Sequence, residues 1–237
     1  NLDSNSGRFS HYELLLRIKD DNGVLITPGA FMPAAERYNL VVEIDRWVVT
    51  EAIQMIEGCP TFMQDLEFIF INLSGQTLSD ESFLDFLLVR LKNTVFDGAK
   101  LCFEITETAA ITNLNVAQKF IQALQKIGCK FALDDFGSGL SSFAYLKDLA
   151  VDFLKIDGMF IKEIANNEIT HAMVKSINDI GHVMGIQTIA EFVENETVEK
   201  AVKELGINYA QGHGIEKPQP LRDILLKPIT LGAKTIE

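Results

Sequence analysis

This chain has no run of residues long and apolar enough to cross a membrane. Its start, Asn1 to Phe9, is polar and has no signal-peptide core. Cysteine is scarce. Cys59, Cys102 and Cys129 are odd in number and widely spaced, which argues against a disulfide framework or a zinc site and fits reduced, packed thiols. A cytoplasmic domain is therefore expected. His11, His171, His182 and His213 lie far apart, with no i,i+4 pair to hold zinc on a helix. No Gly-x-Ser-x-Gly elbow supports a serine nucleophile, and no Gly-rich dinucleotide fingerprint follows any strand. Positive charge is also short: 21 Lys and Arg against 33 Asp and Glu leave a formal charge of −12. That sign opposes general binding to DNA, to RNA or to an anionic membrane. An anionic substrate would need local cations, from side chains or from metal.

What is present is ample for one core. A chain of 237 residues buries roughly 70% of its extended surface on folding, and a single domain over 1–237 is the simplest reading. Short apolar runs at His11–Ile18, Glu67–Leu73, Leu101–Ile105, Lys130–Asp134, Phe153–Ile156 and Ile186–Ala190 read as buried strands, with a weaker one near Asn208–Gly212. Helical spacing separates them at Val42–Ile56, Ser82–Leu91 (after a cap at Ser79), Asn115–Ile127, Thr170–Met184 and Glu196–Leu205. The last three end at Gly128, Gly185 and Gly206, a repeated helix–Gly–strand junction. Strands alternating with helices imply a parallel sheet, and their number favours a (β/α)-barrel.

In such a barrel the active site lies at the C-terminal ends of the strands, and that is where the polar residues fall. Asn72, Glu104, Asp134 with Asp135, Lys155 with Asp157, and Glu191 each end or closely follow an apolar run; Glu107 and Glu194 come three residues after Glu104 and Glu191. On the first strand, Glu13, Leu15 and Arg17 fall on one face at period two. Any one of these acids alone reads more naturally as a helix cap or a first-turn acid. As a set they do not, because converging carboxylates repel unless cations hold them. Oxygen ligands suit Mg²⁺, Mn²⁺ or Ca²⁺. Bound divalent ions would also supply the positive charge that an acidic chain lacks.

The motif series resembles the EAL-domain phosphodiesterases of cyclic di-GMP over nearly the whole chain. It comprises Tyr12-Glu13-Leu14-Leu15-Leu16-Arg17, Ile71-Asn72-Leu73-Ser74, Glu104-Ile105-Thr106-Glu107, Asp134-Asp135-Phe136-Gly137-Ser138-Gly139 with Ser141-Ser142, Leu154-Lys155-Ile156-Asp157, Ala190-Glu191-Phe192-Val193-Glu194 and Gln211-Gly212. The resemblance implies a TIM-like (β/α)8 barrel with one antiparallel strand. It implies hydrolysis of cyclic di-GMP to linear pGpG with Mg²⁺ or Mn²⁺, two ions sharing the site and Ca²⁺ binding without turnover. Carried over by position, Glu13, Asn72, Glu104, Asp134 and Asp135 hold metal, and Lys155 and Glu191 act on the attacking water. Arg17 and Leu15 contact substrate, Arg17 through a phosphate. Glu107 braces the loop that starts at Asp135, and Asp157, Glu194 and Gln211 support the site. By the same analogy the domain pairs as a homodimer and sits behind sensory or GGDEF domains in a longer chain.

The sequence departs from that pattern at several places. Leu14 stands where alanine is usual, Phe192 where glycine is usual, Gly158 where arginine is common and His213 where an aromatic is usual. The helix and the Gln-Pro-Ile strand that open the family pattern have no match before Glu13, so an N-terminally truncated barrel is expected. The competing reading is a receptor or interaction module that does not cleave its ligand. The retained acid set favours the enzyme.

Overall fold

The computed structural model describes residues 10–137 and 143–226. Its strands are β1 (His11–Leu14), β2 (Ile18–Lys19), β3 (Leu25–Ile26), β4 (Phe68–Leu73), β5 (Leu101–Thr106), β6 (Lys130–Phe136), β7 (Phe153–Ile156), β8 (Gln187–Ala190) and β9 (Tyr209–Ala210). Seven of them form one curled sheet in the order β1-β4-β5-β6-β7-β8-β9. Every pairing within that sheet is parallel. The fold is the expected TIM-like α/β barrel. The described residues supply seven of its strands, and the antiparallel member implied by the resemblance is not among them. Antiparallel pairing is confined, among the described residues, to the separate β2–β3 ribbon.

Period-two alternation sorts each strand into two faces. The outward residues Ile69, Ile71, Leu101, Phe103, Phe131, Leu133, Leu154 and Ile156 pack in one large core with Ile53, Leu87, Phe120, Ile121 and Val174 of the surrounding helices. Inward, Phe70, Cys102, Ala132, Phe153 and Ile189 form a second apolar layer, with Phe68 and Tyr209 against it. Burying side chains of this size contributes roughly 1.5–3 kcal/mol each. The next inward position on each strand lies two residues further on, and there the layer turns polar.

Helix ends follow local chemistry. Gly128 and Gly185 end their helices with φ of +96° and +76°, the left-handed conformation that glycine adopts without a Cβ penalty. The cap expected at Ser79 is instead Asp80: its carboxylate accepts from Phe83 N at 2.9 Å and starts the helix Glu81–Lys92. A larger correction concerns the first strand, expected to run to Ile18. It stops at Leu14, opposite Ile71. The chain then turns on Asp20, whose Oδ1 accepts from Asn22 N and Val24 N. This turn folds Ile18–Lys19 back on Leu25–Ile26. Strand alternation therefore does not carry Glu13 on to Leu15 and Arg17.

Candidate active site

Six of the seven barrel strands carry an inward apolar or aromatic residue and, two positions later, a polar one. Phe70 leads to Asn72, Cys102 to Glu104, Ala132 to Asp134, Phe153 to Lys155, Ile189 to Glu191 and Tyr209 to Gln211. On β1, His11 leads to Glu13; the His11 ring lies 4.8 Å from that of Tyr209 and 5.2 Å from that of Phe68. The parallel register sets Asn72 beside Glu104 and Thr106 beside Asp134. Seven polar side chains thus converge above an apolar floor.

Lys155 stands at their centre, 1% exposed. Its ammonium lies 3.0 Å from Glu104 Oε1 and from Asp134 Oδ1, 3.1 Å from Glu191 Oε1 and 3.5 Å from Glu13 Oε2. Asn72 Nδ2 donates to Glu13 Oε1 at 2.8 Å, and Gln211 Nε2 donates to Glu13 Oε2. Three ammonium hydrogens cannot point at four carboxylates, and Glu104 Oε1, Glu104 Oε2 and Asp134 Oδ1 are buried without a directed hydrogen bond.

The charges respond to that crowding. Burial works against the Lys155 ammonium, but Glu104, Glu13, Asp134 and Glu191 together hold its pKa well above the usual lysine value. Burial, with Glu13 and Asp134 adding to it, drives Glu104 well above the ordinary carboxylate range despite Lys155. Burial raises Glu191 to about 7, Asp134 reinforcing the shift and Lys155 opposing it. Glu13 goes the other way: burial would raise it, but Lys155 and the amides of Gln211 and Asn72 hold it below its ordinary value.

Asp134 and Asp135 are consecutive, so a regular strand would point them to opposite faces. The β6–β7 register shifts between Leu133 and Phe136, and Asp135 takes φ of +55°. This bulge re-aims the second acid. As a result, carboxylate oxygens of Asp134, Asp135 and Glu191 all lie within 4.8 Å of one another. Burial, then Asp134 and Asp157, raise the Asp135 carboxyl.

Other expected residues lie around this core. Glu107 is buried at the start of the helix Glu107–Thr112. Its carboxylate accepts from Gly137 N at 3.1 Å and from the Tyr145 hydroxyl. Those two contacts flank 138–142, so Ser138, Gly139, Ser141 and Ser142 of the motif series fall outside the described residues. Asp157 caps the helix Gly158–Ile161 through Met159 N at 2.7 Å. Leu15 is exposed beyond β1, and Arg17 Nη1 donates to Leu16 O at 2.7 Å. Glu194 is exposed beyond β8 and is not drawn into the cluster. A cavity of about 1040 Å³ opens between β1 and β9, bordered by Glu13, Glu104, Gln211 and Arg17 and by the apolar groups Trp47 and Phe62.

Two contributors were missed in the sequence. Tyr145 carries no local signal. Asp45 does, because it interrupts the apolar stripe Val41, Val49, Ala52, Ile56 of the helix Val41–Glu57. Its Oδ2 accepts from Ser74 N at 2.9 Å and Thr77 Oγ1 at 2.6 Å, bracing the turn that follows Asn72.

Fold and site together define a class: a TIM-like α/β barrel with a carboxylate-rich pocket at the C-terminal ends of its strands. The chain belongs to the EAL domain family, whose model matches residues 2–218. It is 44% identical over 216 residues to the cyclic di-GMP phosphodiesterase PdeB of Shewanella oneidensis, a match covering 91% of this chain and 25% of that protein. Its identity to the cyclic di-GMP phosphodiesterase PdeF of Escherichia coli is 40% over 221 residues, 92% of this chain and 30% of that protein. The chain thus spans about a quarter to a third of these relatives. Among solved structures, the PaMucR phosphodiesterase in complex with c-di-GMP superposes with a TM-score of 0.86 at 32% identity, covering 92% of this chain and 89% of that one. The FimX EAL domain from Pseudomonas aeruginosa bound to c-di-GMP gives 0.83 at 31%, covering 92% and 86%.

Proposed function

We propose that this domain hydrolyses cyclic di-GMP to linear pGpG with bound Mg²⁺ or Mn²⁺. The observation that carries the reading is four buried or half-buried carboxylates, Glu13, Glu104, Asp134 and Glu191, crowded around the one ammonium of Lys155, in a member of a family whose relatives are named cyclic di-GMP phosphodiesterases. The donors fit a hard divalent cation: they are all carboxylate or amide oxygens, crowded and in part unpartnered. Glu13, Asn72, Glu104 and Asp134 would hold one ion, and Asp135, beside Asp134, would serve a second. When bound, such ions lower the pKa of water and stabilise negative charge on the phosphoryl oxygens.

The side chains do the rest. Glu191, with its carboxyl near 7, accepts the proton of the attacking water, in the range where a general base is effective. Lys155, kept charged by its carboxylates, orients that water. The water oxygen bonds to phosphorus, the bond to one 3′ oxygen breaks, and that oxygen leaves as a hydroxyl after taking up a proton. Arg17 and Leu15 contact the substrate, Arg17 through a phosphate. Glu107 ties Gly137 and Tyr145 on either side of the loop after Asp135. Asp157, Gln211 and Glu194 support the strand ends.

The proposal extends to a cytoplasmic homodimer attached to sensory or GGDEF domains, in keeping with the short span of the match. Among the described residues, no helix is long and apolar enough to cross a membrane. The test is to incubate the domain with cyclic di-GMP and Mn²⁺ and identify the product by mass spectrometry. The expected product is pGpG, with none formed under Ca²⁺. Tight binding without pGpG under either Mg²⁺ or Mn²⁺ would make the domain a receptor.

A further inference from the structure

Phe192 follows Glu191 directly and takes φ of +52°, a region that bulky side chains rarely enter. Phe192 is 49% exposed, yet its ring has a seat. A Cβ added to Gly158 would lie 2.1 Å from Phe192 Cδ2 and 2.7 Å from Cγ, far inside van der Waals contact. Gly158 is therefore used for its missing side chain: the ring occupies the space that any other residue at 158 would fill. Lys162, on the turn that follows, places its ammonium 4.3 Å from the ring centroid, within cation–π range. Two departures from the motif series, glycine at 158 and phenylalanine at 192, meet in one contact, since the Phe192 ring excludes the arginine that is common at 158.

The backbone on either side is anchored. Glu191 N donates to Ile156 O at 3.3 Å and Val193 N to Gln211 O at 2.9 Å. A change of φ at 192 must turn the peptide between those anchors, and the Glu191 carboxylate, 3.1 Å from Lys155, moves with it. We infer that Phe192 is a positioning residue, latched on Gly158 and Lys162, that ties the end of β8 to the end of β7 and fixes Glu191 beside Lys155. This rests on the reading of Glu191 as proton acceptor. Glycine at 192 would accept the same φ without strain, but it would leave the turn unlatched.

The experiment compares wild type, Phe192→Gly, Gly158→Ala, the double variant and Phe192→Tyr. Thermal unfolding is measured on metal-free protein, and steady-state kinetics with cyclic di-GMP and Mn²⁺. Phe192→Gly is expected to lower kcat roughly tenfold to a hundredfold, with KM within about twofold of wild type. Gly158→Ala expels the ring from its seat and should lower both kcat and Tm. The double variant should be no worse than Phe192→Gly, because the clash is gone, and Phe192→Tyr should keep kcat. Additive losses in the double variant overturn the shared seat. A raised KM at unchanged kcat overturns the positioning role. Wild-type protein that forms no pGpG overturns the hydrolytic reading and the positioning role together, while the coupling in Tm still decides the seat.

Discussion

Lys155→Met removes the ammonium from four buried carboxylates at 3.0–3.5 Å and keeps the side-chain volume. At an effective dielectric of about 20, each contact is worth about 5 kcal/mol before desolvation is counted. Burial of the ions and repulsion among the carboxylates offset most of that, so the net cost of orphaning such a cluster is ~3–5 kcal/mol at neutral pH. For a domain of this size that lowers Tm by roughly 6–20 °C. The pH dependence is the sharper test. Glu104 and Glu191 already sit above their ordinary values, Glu191 at about 7, and losing the ammonium raises them further. The native variant then holds more protons than native wild type, so its deficit shrinks as pH falls below about 7. Urea unfolding of chelator-treated protein at pH 7.5 and pH 5 measures this. A deficit equal at both pH values, or none, would refute the assignment of Lys155 as the counter-charge of the cluster.

Asp45 is buried and raised above the ordinary aspartate value, desolvation outweighing the hydrogen bonds from Thr77 and Ser74. Its stabilising contribution is present below the unfolded pKa and is lost as pH rises through the raised folded value. Asp45→Asn keeps the acceptor and should remove that loss, so the variant's Tm gains on wild type as pH rises from 4 to 7. Asp45→Ala strands the Ser74 N–H and should cost about 1–3 kcal/mol; an Asn variant as unstable as the Ala variant would count against the account. Burial pushes the Cys129 thiol to about 12 and the Cys102 thiol well above its ordinary value, whereas Cys59 is half-buried. A thiol reagent should therefore titrate one cysteine in native protein and three after denaturation; fast labelling of more than one in the native state would contradict the packing.

The sequence by itself determined the strands from Phe68 to Ala190, because buried parallel strands are short apolar runs bounded by helix-stopping glycines, and that pattern is local. It also determined which residues could carry the chemistry, since Glu13, Asn72, Glu104, Asp134, Lys155 and Glu191 interrupt or end those runs. Tertiary structure decided everything that depends on two distant segments competing for one place. The first strand ends at Leu14 because the Asp20 turn draws Ile18 into a ribbon of its own. Asp134 and Asp135 share one side because β6 bulges against β7, which alternation along a single strand cannot foretell. Asp45 reaches the turn after Asn72 only when the helix Val41–Glu57 packs beside β4. Phe192 and Gly158 read as two unrelated oddities 34 positions apart; in the fold they are one contact, because the two strand ends that carry them are neighbours in the sheet.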